Sequence, residues 1–166
     1  MLLRGKWRLT WLSLAVLIAD QLTKRAVAAS IEQGGRVVII PGLFNIVHTN
    51  NRGVAFGILA DARAPWLVWL LILFSLGVMG LLVWLLASQR IPGTPGQVGA
   101  ALILGGAAGN VLDRVLRHSV VDFLDFHIRG YHWPAFNLAD SAIVVGGILI
   151  VFSLLTEHRE NARGKA

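Results

Sequence analysis

Four apolar blocks alternate with polar connections along the chain. They run from about Leu9 to Ala29, Pro65 to Ala87, Val98 to Leu116 and Ala139 to Leu155. Each approaches the roughly 20 residues that a helix needs to cross a bilayer. The second block is carried by Leu, Val and Trp and has no charge. The third is rich in Gly and Ala, and Gly99, Gly105, Gly106 and Gly109 would let helix backbones approach closely in lipid. That places the third span at the centre of a bundle. The pattern predicts an α-helical integral membrane protein with four transmembrane helices, organised as a single domain over residues 1–166.

The connections are unequal. Residues 88–97 read as a tight Pro/Gly turn. Residues 30–64 and 117–138 are longer and, with four spans, lie on one side. Arg36 to Ile40, a Pro41-Gly42 turn and Leu43 to Val47 read as two short strands. Gly53 to Leu59 suggests a short surface helix. One membrane face thus carries a small β module with a surface helix, and the other is nearly bare.

The first block allows a second reading. Basic residues precede it and Ala26-Val27-Ala28 looks like a signal-peptide cleavage site. Asp20, Lys24 and Arg25 sit just before that cut, where signal peptides rarely carry charge. Asp20 and Lys24 are four apart and face each other on a helix, so an ion pair in a retained span explains them better.

Charged residues make up 14% of the chain, against roughly a quarter in a soluble domain. The net charge of +6 is spread over short clusters beside apolar blocks, which points to membrane flanks and away from nucleic acid. Arg4, Lys6 and Arg8 in one tail and Arg159, Arg163 and Lys165 in the other favour cytoplasmic termini. Arg36, Arg52, Arg63, Arg114, Arg117 and Arg129 on the other side weigh against that orientation. The absence of cysteine excludes disulfides, a thiolate nucleophile and cysteine-ligated zinc.

Acids near membrane depth are costly and functional by default. Asp113, Asp122, Asp125 and Asp140 gather where the third and fourth spans reach one surface. Two carboxylates held together there cannot both ionise. They would share a proton, activate water with the base form and protonate the leaving nitrogen with the acid form. Each candidate has a plainer explanation. Asp113 adjoins Arg114 and could form a local ion pair, Asp125 could be solvated, and Asn137 to Asp140 is spaced like a helix capping pair. Asp122, between Val121 and Phe123, is the hardest to explain as an idle carboxylate, and the pair Asp122 and Asp140 stands slightly ahead of its rivals. No metal site is expected; the scattered His48, His118, His127, His132 and His158 read as interfacial polar residues, although His127 and His132 could share a site.

Five blocks, taken in order, resemble the signatures of lipoprotein signal peptidases (signal peptidase II). They are Asp20-Gln21-Leu22-Thr23-Lys24, Asn51-Arg52-Gly53-Val54-Ala55-Phe56, Gly105 to Arg114, Val120-Val121-Asp122-Phe123 and Phe136-Asn137-Leu138-Ala139-Asp140. The family often has Asn-Thr-Gly-Ala-Ala-Phe in the second block. The resemblance implies that Asp122 and Asp140 are catalytic. It implies supporting or substrate-binding roles for Asp20, Lys24, Asn51, Gly53, Phe56, Asn110, Asp113, Arg114, Asn137 and Ala139. It implies an aspartic endopeptidase of the bacterial inner membrane, without cofactor, with its site at the extracytoplasmic side. Its substrates would be diacylglyceryl-modified prolipoproteins, cut just before the lipidated cysteine. Membrane lipids are the other expected partners, and a monomer is expected. Asp140, in the first turn of its helix, would be favoured as the anion by the helix field. The competing reading is a small four-span proton-coupled transporter, which would carry its acids near span midpoints. A structural subunit would leave the acidic cluster unexplained.

Overall fold

The structure, a computed structural model, describes residues 2–53 and 65–163. Four long helices carry the chain: α1 (Leu2–Ser30), α2 (Pro65–Ala87), α3 (Gly93–Arg117) and α4 (Leu138–Arg163). Strands β1 (Arg36–Ile40) and β2 (Phe44–Asn51) follow α1. Strands β3 (Val120–Ile128) and β4 (Tyr131–His132) lie between α3 and α4. The strands form one antiparallel sheet in the order β1-β2-β3-β4.

Three of the helices, over Trp66–Ala87, Gly93–Arg117 and Leu138–His158, are long and apolar enough to cross a membrane. Helix α1 has 29 residues, which is roughly 43 Å of helix, but Arg8, Asp20, Lys24 and Arg25 lower its hydropathy. It packs against α3 within the same bundle.

Helix α3 is the centre, touching α1, α2 and α4. Its glycines make this possible. A Cβ on Gly99 would stand 2.5 Å from the Gly146 carbonyl of α4, and one on Gly105 would stand 2.5 Å from the Ser13 carbonyl of α1. The backbones therefore meet where side chains would hold them apart, as the composition of the third block predicts. Helix α2 is more peripheral. Its Leu82 packs with Ile91 and Ala100, and Trp66, Trp69, Leu73 and Phe74 face outward.

One expectation needs correction, and one connection holds elements that the sequence did not suggest. Residues 88–97 are not all turn, because α3 starts at Gly93, with Pro92 as its extended N-cap residue and Pro95 in the first turn. Proline is tolerated there, since first-turn amides have no intrahelical acceptor. The connection over residues 117–138 is also more ordered than its sequence suggests. It holds β3 and β4, which pair around the positive-φ residues Arg129 and Gly130. The proposed surface helix from Gly53 to Leu59 lies, beyond Gly53 itself, outside the described residues, as does Phe56.

Candidate active site

The sheet sits at the end of the bundle where α1 and α3 finish and α4 begins. Strand β3 brings Asp122 there. Val121 and Phe123 are buried on either side of it, and Asp122 itself is only 3% exposed. After β4, the chain runs back along β3. The Phe123 and Leu124 amides donate to the Phe136 carbonyl at 3.0 and 2.8 Å, and the Phe136 amide donates to the Leu124 carbonyl at 3.1 Å. This return places Asn137 beside Asp122 and starts α4 at once.

Asn137 joins the two carboxylates. Its side-chain amide donates to Asp122 Oδ1 at 2.7 Å, while its Oδ1 accepts the Asp140 backbone amide at 2.9 Å. The Asp140 carboxylate reaches back to the Asn137 amide at 3.2 Å. Asn137 and Asp140 thus form the reciprocal cap that their spacing suggests. Capping leaves Asp140 free to do more, because its Oδ1 also accepts a 2.8 Å hydrogen bond from Asn110 Nδ2 of α3. Asn51 closes the other side of Asp122, donating to Oδ2 at 3.0 Å, and its Oδ1 accepts the Gly53 amide at 2.9 Å.

Behind this pair lies a buried ionic core. Lys24 Nζ is 2.8 Å from Asp20 Oδ2 and 2.9 Å from Asp113 Oδ2, with all three side chains fully buried. The contact to Asp113 is one of charge, without a well-aligned hydrogen bond. Lys24 also donates to Asn110 Oδ1 at 3.0 Å, and Gln21 donates to Asp20, Asp113 and the Gly109 carbonyl. Asp20 Oδ1 accepts the Ala139 amide at 3.0 Å and so caps α4 from α1. Gly109 lets Asp20 in: a Cβ there would lie 2.5 Å from its Oδ2.

A cavity of about 790 Å³ opens in front. Asp122, Asp140, Asn51, Gly53, Asn110 and Arg114 line it, together with Trp133, Phe136 and apolar residues of α4 such as Ile143 and Val144. The cavity joins carboxylates to an apolar wall. Burial, and then the charge of Asp140, push the Asp122 carboxyl up to about 7, against the lowering effect of the Asn51 and Asn137 hydrogen bonds. Asp122 is therefore a group that holds a proton near neutrality.

The structure corrects two assignments. Asp113 pairs with Lys24 across helices, with Arg117 Nη1 at 3.7 Å, and Arg114 turns instead to the Asn110 carbonyl and the cavity. Asp125 is not solvated. It is buried, accepting from Asn45 Nδ2 at 2.8 Å and lying 2.8 Å from His132 Nδ1. Burial alone would raise its pKa, but those hydrogen bonds and the nearby histidines hold it below the usual carboxylate range. His127 and His132 do stand together, ring centroids 4.7 Å apart, on the far end of β3 from Asp122. No group of three metal-ligating side chains occurs among the described residues. Thr49, Trp133 and the α4 wall residues were not singled out by sequence, because a groove assembled from separate strands leaves no local spacing to find.

Comparison with known proteins gives a consistent result. Residues 12–156 match the family model described as Signal peptidase (SPase) II. A lipoprotein signal peptidase of Solibacter usitatus is 41% identical over 158 residues, covering 95% of this chain and 96% of the relative. One of Burkholderia mallei is 44% identical over 154 residues, covering 90% and 89%. A solved bacterial membrane enzyme superposes with a TM-score of 0.80 at 34% identity, covering 91% of this chain and 89% of that one.

Proposed function

The chain belongs to the signal peptidase II family, and from that premise we propose that it removes signal peptides from diacylglyceryl-modified prolipoproteins as an aspartic endopeptidase. It is a multi-pass protein of the bacterial inner membrane. The observation that carries the mechanistic part is the arrangement of Asp122 and Asp140 on one cavity, coupled through Asn137, with Asp122 raised to about 7.

In this reading the protonated Asp122 and the ionised Asp140 share the reacting water between them. The water oxygen attacks the scissile carbonyl carbon while its proton passes to Asp140. Asp122 donates its proton to the carbonyl oxygen. Collapse of the tetrahedral intermediate breaks the C–N bond: one hydroxyl of the gem-diol returns its proton to Asp122 as the new carboxyl group forms, and the proton on Asp140 goes to the leaving nitrogen. The new amine is the substrate cysteine, which stays on its lipid anchor. Asn51, Asn110 and Asn137 fix both carboxylates, and the core of Asp20, Lys24 and Asp113 fixes the ends of α1, α3 and α4 behind them. Gly53, Arg114 and Ala139 border the same machinery. The cavity's apolar side, along Ile143 to Val145, suits a lipidated segment entering from the bilayer.

Helix α1 is read as a fourth span, with both termini cytoplasmic and the sheet outside. Its packing against α3 supports this, because the Asp20–Lys24–Asp113 core pairs two of the charges, Asp20 and Lys24, that lower its hydropathy. The test of function is cleavage by purified protein of a synthetic lipobox peptide with and without diacylglycerol on its cysteine. Cleavage before the lipidated cysteine is expected. Equal cleavage of the unlipidated peptide, or none of either, would oppose the proposal.

A further inference from the structure

Strand β4 has two residues, against the roughly 5–6 usual for a strand. It joins β3 through two pairs, His127 with His132 and Ile128 with Tyr131. Yet the chain that leaves it is one wall of the active cavity, which Trp133, Pro134, Ala135 and Phe136 line in succession. Phe136 secures the far end of this segment through its backbone bonds to Leu124 and its ring stacked on Phe126. At the near end the Trp133 amide donates to the Phe126 carbonyl at 2.8 Å. Between them Pro134 has no amide to donate. The position of Trp133 therefore depends on how firmly β4 is held.

Asp125 supplies a side-chain tie. It stands opposite Asn45 of β2 in the sheet and is buried. Its Oδ2 accepts from Asn45 Nδ2 and its Oδ1 faces His132 Nδ1, both at 2.8 Å. Held below the usual carboxylate range, it is ionised at neutral pH and can only accept, so the His132 nitrogen carries the hydrogen. One carboxylate thus links β2, β3 and β4. Neither Asp125 nor His132 lines the cavity. Successive side chains of an extended chain point to opposite faces, so a tie on His132 from one face leaves Trp133 turned to the other. An apolar pair would fill this place with less desolvation cost, so stability alone is a poor account of it.

We infer that Trp133 holds an apolar part of the substrate against the α4 wall of Ile143, Val144 and Val145, and that Asp125 and His132 are its positioning residues. Trp133 is 58% exposed, so much of a large apolar ring is available to a ligand. The inference rests on the peptidase reading and adds to it the side chain that grips the substrate and the pair that sets its place.

Steady-state cleavage of a diacylglyceryl lipobox peptide by the full chain in detergent tests it. His132→Leu removes the donor from a half-exposed side chain. It should raise KM about tenfold with kcat little changed, the loss of one hydrogen bond to a charged group felt in binding alone. His132→Asn, whose amide nitrogen falls near the place of Nδ1, should restore most of that loss. A tie that served only stability would lower the melting temperature and leave KM alone. Trp133→Ala should raise KM at least as far, and His132→Leu should add little in that background, because a residue acting through another is not additive with it. Should His132→Leu fail to fold, His132→Gln, whose amide reaches the place of Nε2 instead, makes the same comparison against His132→Asn. Peptides with shortened acyl chains, or with smaller lipobox side chains, show which apolar part Trp133 holds, since that truncation loses its effect on KM in Trp133→Ala. If both truncations keep their full effect there, Trp133 holds neither and the inference falls. An unchanged KM in folded His132→Leu, or the same increase with and without Trp133, would overturn the inference and leave the peptidase reading intact. Wild type that cleaves no lipidated peptide would remove that reading and this inference with it.

Discussion

Replacing Asp122 by asparagine should change how stability depends on pH, and the size of the effect follows from the site. The native Asp122 carboxyl titrates at about 7 against an ordinary value of 3.8. Between about pH 4 and 7 the folded protein holds a proton that the unfolded chain has released. Wild-type stability therefore falls as pH rises through that window, and the full cost is present above 7. A difference of about three pKa units corresponds to about 4 kcal/mol. The substituted side-chain amide cannot ionise and escapes this cost. It loses something else, because Asn51 and Asn137 both donate to the carboxylate and an amide offers only one acceptor oxygen. One buried donor left facing an amide NH₂ costs about 1–3 kcal/mol at every pH. The variant should thus be less stable than wild type at pH 4 and more stable at pH 8. At about 2–4 °C per kcal/mol for a chain of this length, the melting difference should swing by about 8–16 °C between the two. Thermal unfolding in detergent at a series of pH values reads this directly. Parallel curves for the two proteins would refute the raised pKa, and with it the proton-holding role of Asp122.

Three further outcomes are expected. Lys24→Met leaves Asp20 and Asp113 buried without their cation and should cost about 3–5 kcal/mol; adding Asp113→Asn should recover part of the lost melting temperature. Chelation with EDTA should leave cleavage of lipidated peptide unchanged, and activity lost with chelator and restored by zinc would argue against a carboxylate-only mechanism. Reporters fused after Ala166 and within the turn at Arg90 to Pro92 should be active as cytoplasmic markers; export of either would reverse the topology.

The helices were legible because long apolar runs in lipid admit few alternatives. The second block, from Pro65 to Ala87, coincides with α2, and the glycines of the third are where α1 and α4 close on α3. The first strand pair was legible from alternation of apolar runs with a Pro-Gly turn. Strand β3 was not. It reads Val-Val-Asp-Phe-Leu-Asp-Phe, apolar on both sides of its acids, because its first residues are buried on both faces and show no period of two. The site was legible in part for the same reason. Asp122 stood out as a carboxylate in an apolar run, and Asp140 was visible as a cap. Nothing in the spacing showed that one residue, Asn137, serves both, since that depends on the return of Phe136 along β3. Asp113 was misassigned to its neighbour Arg114 because sequence shows adjacency along the chain, whereas Lys24 reaches it from another helix.

The carboxylate pair is tested most directly by single-turnover cleavage of a diacylglyceryl lipobox peptide by wild type, Asp122→Asn and Asp140→Asn, each purified in detergent and confirmed folded by its melting curve. Either substitution removes one half of a shared acid–base unit, so each should slow cleavage by at least about 100-fold, with the peptide still bound. Near-normal cleavage by either folded variant would contradict the account.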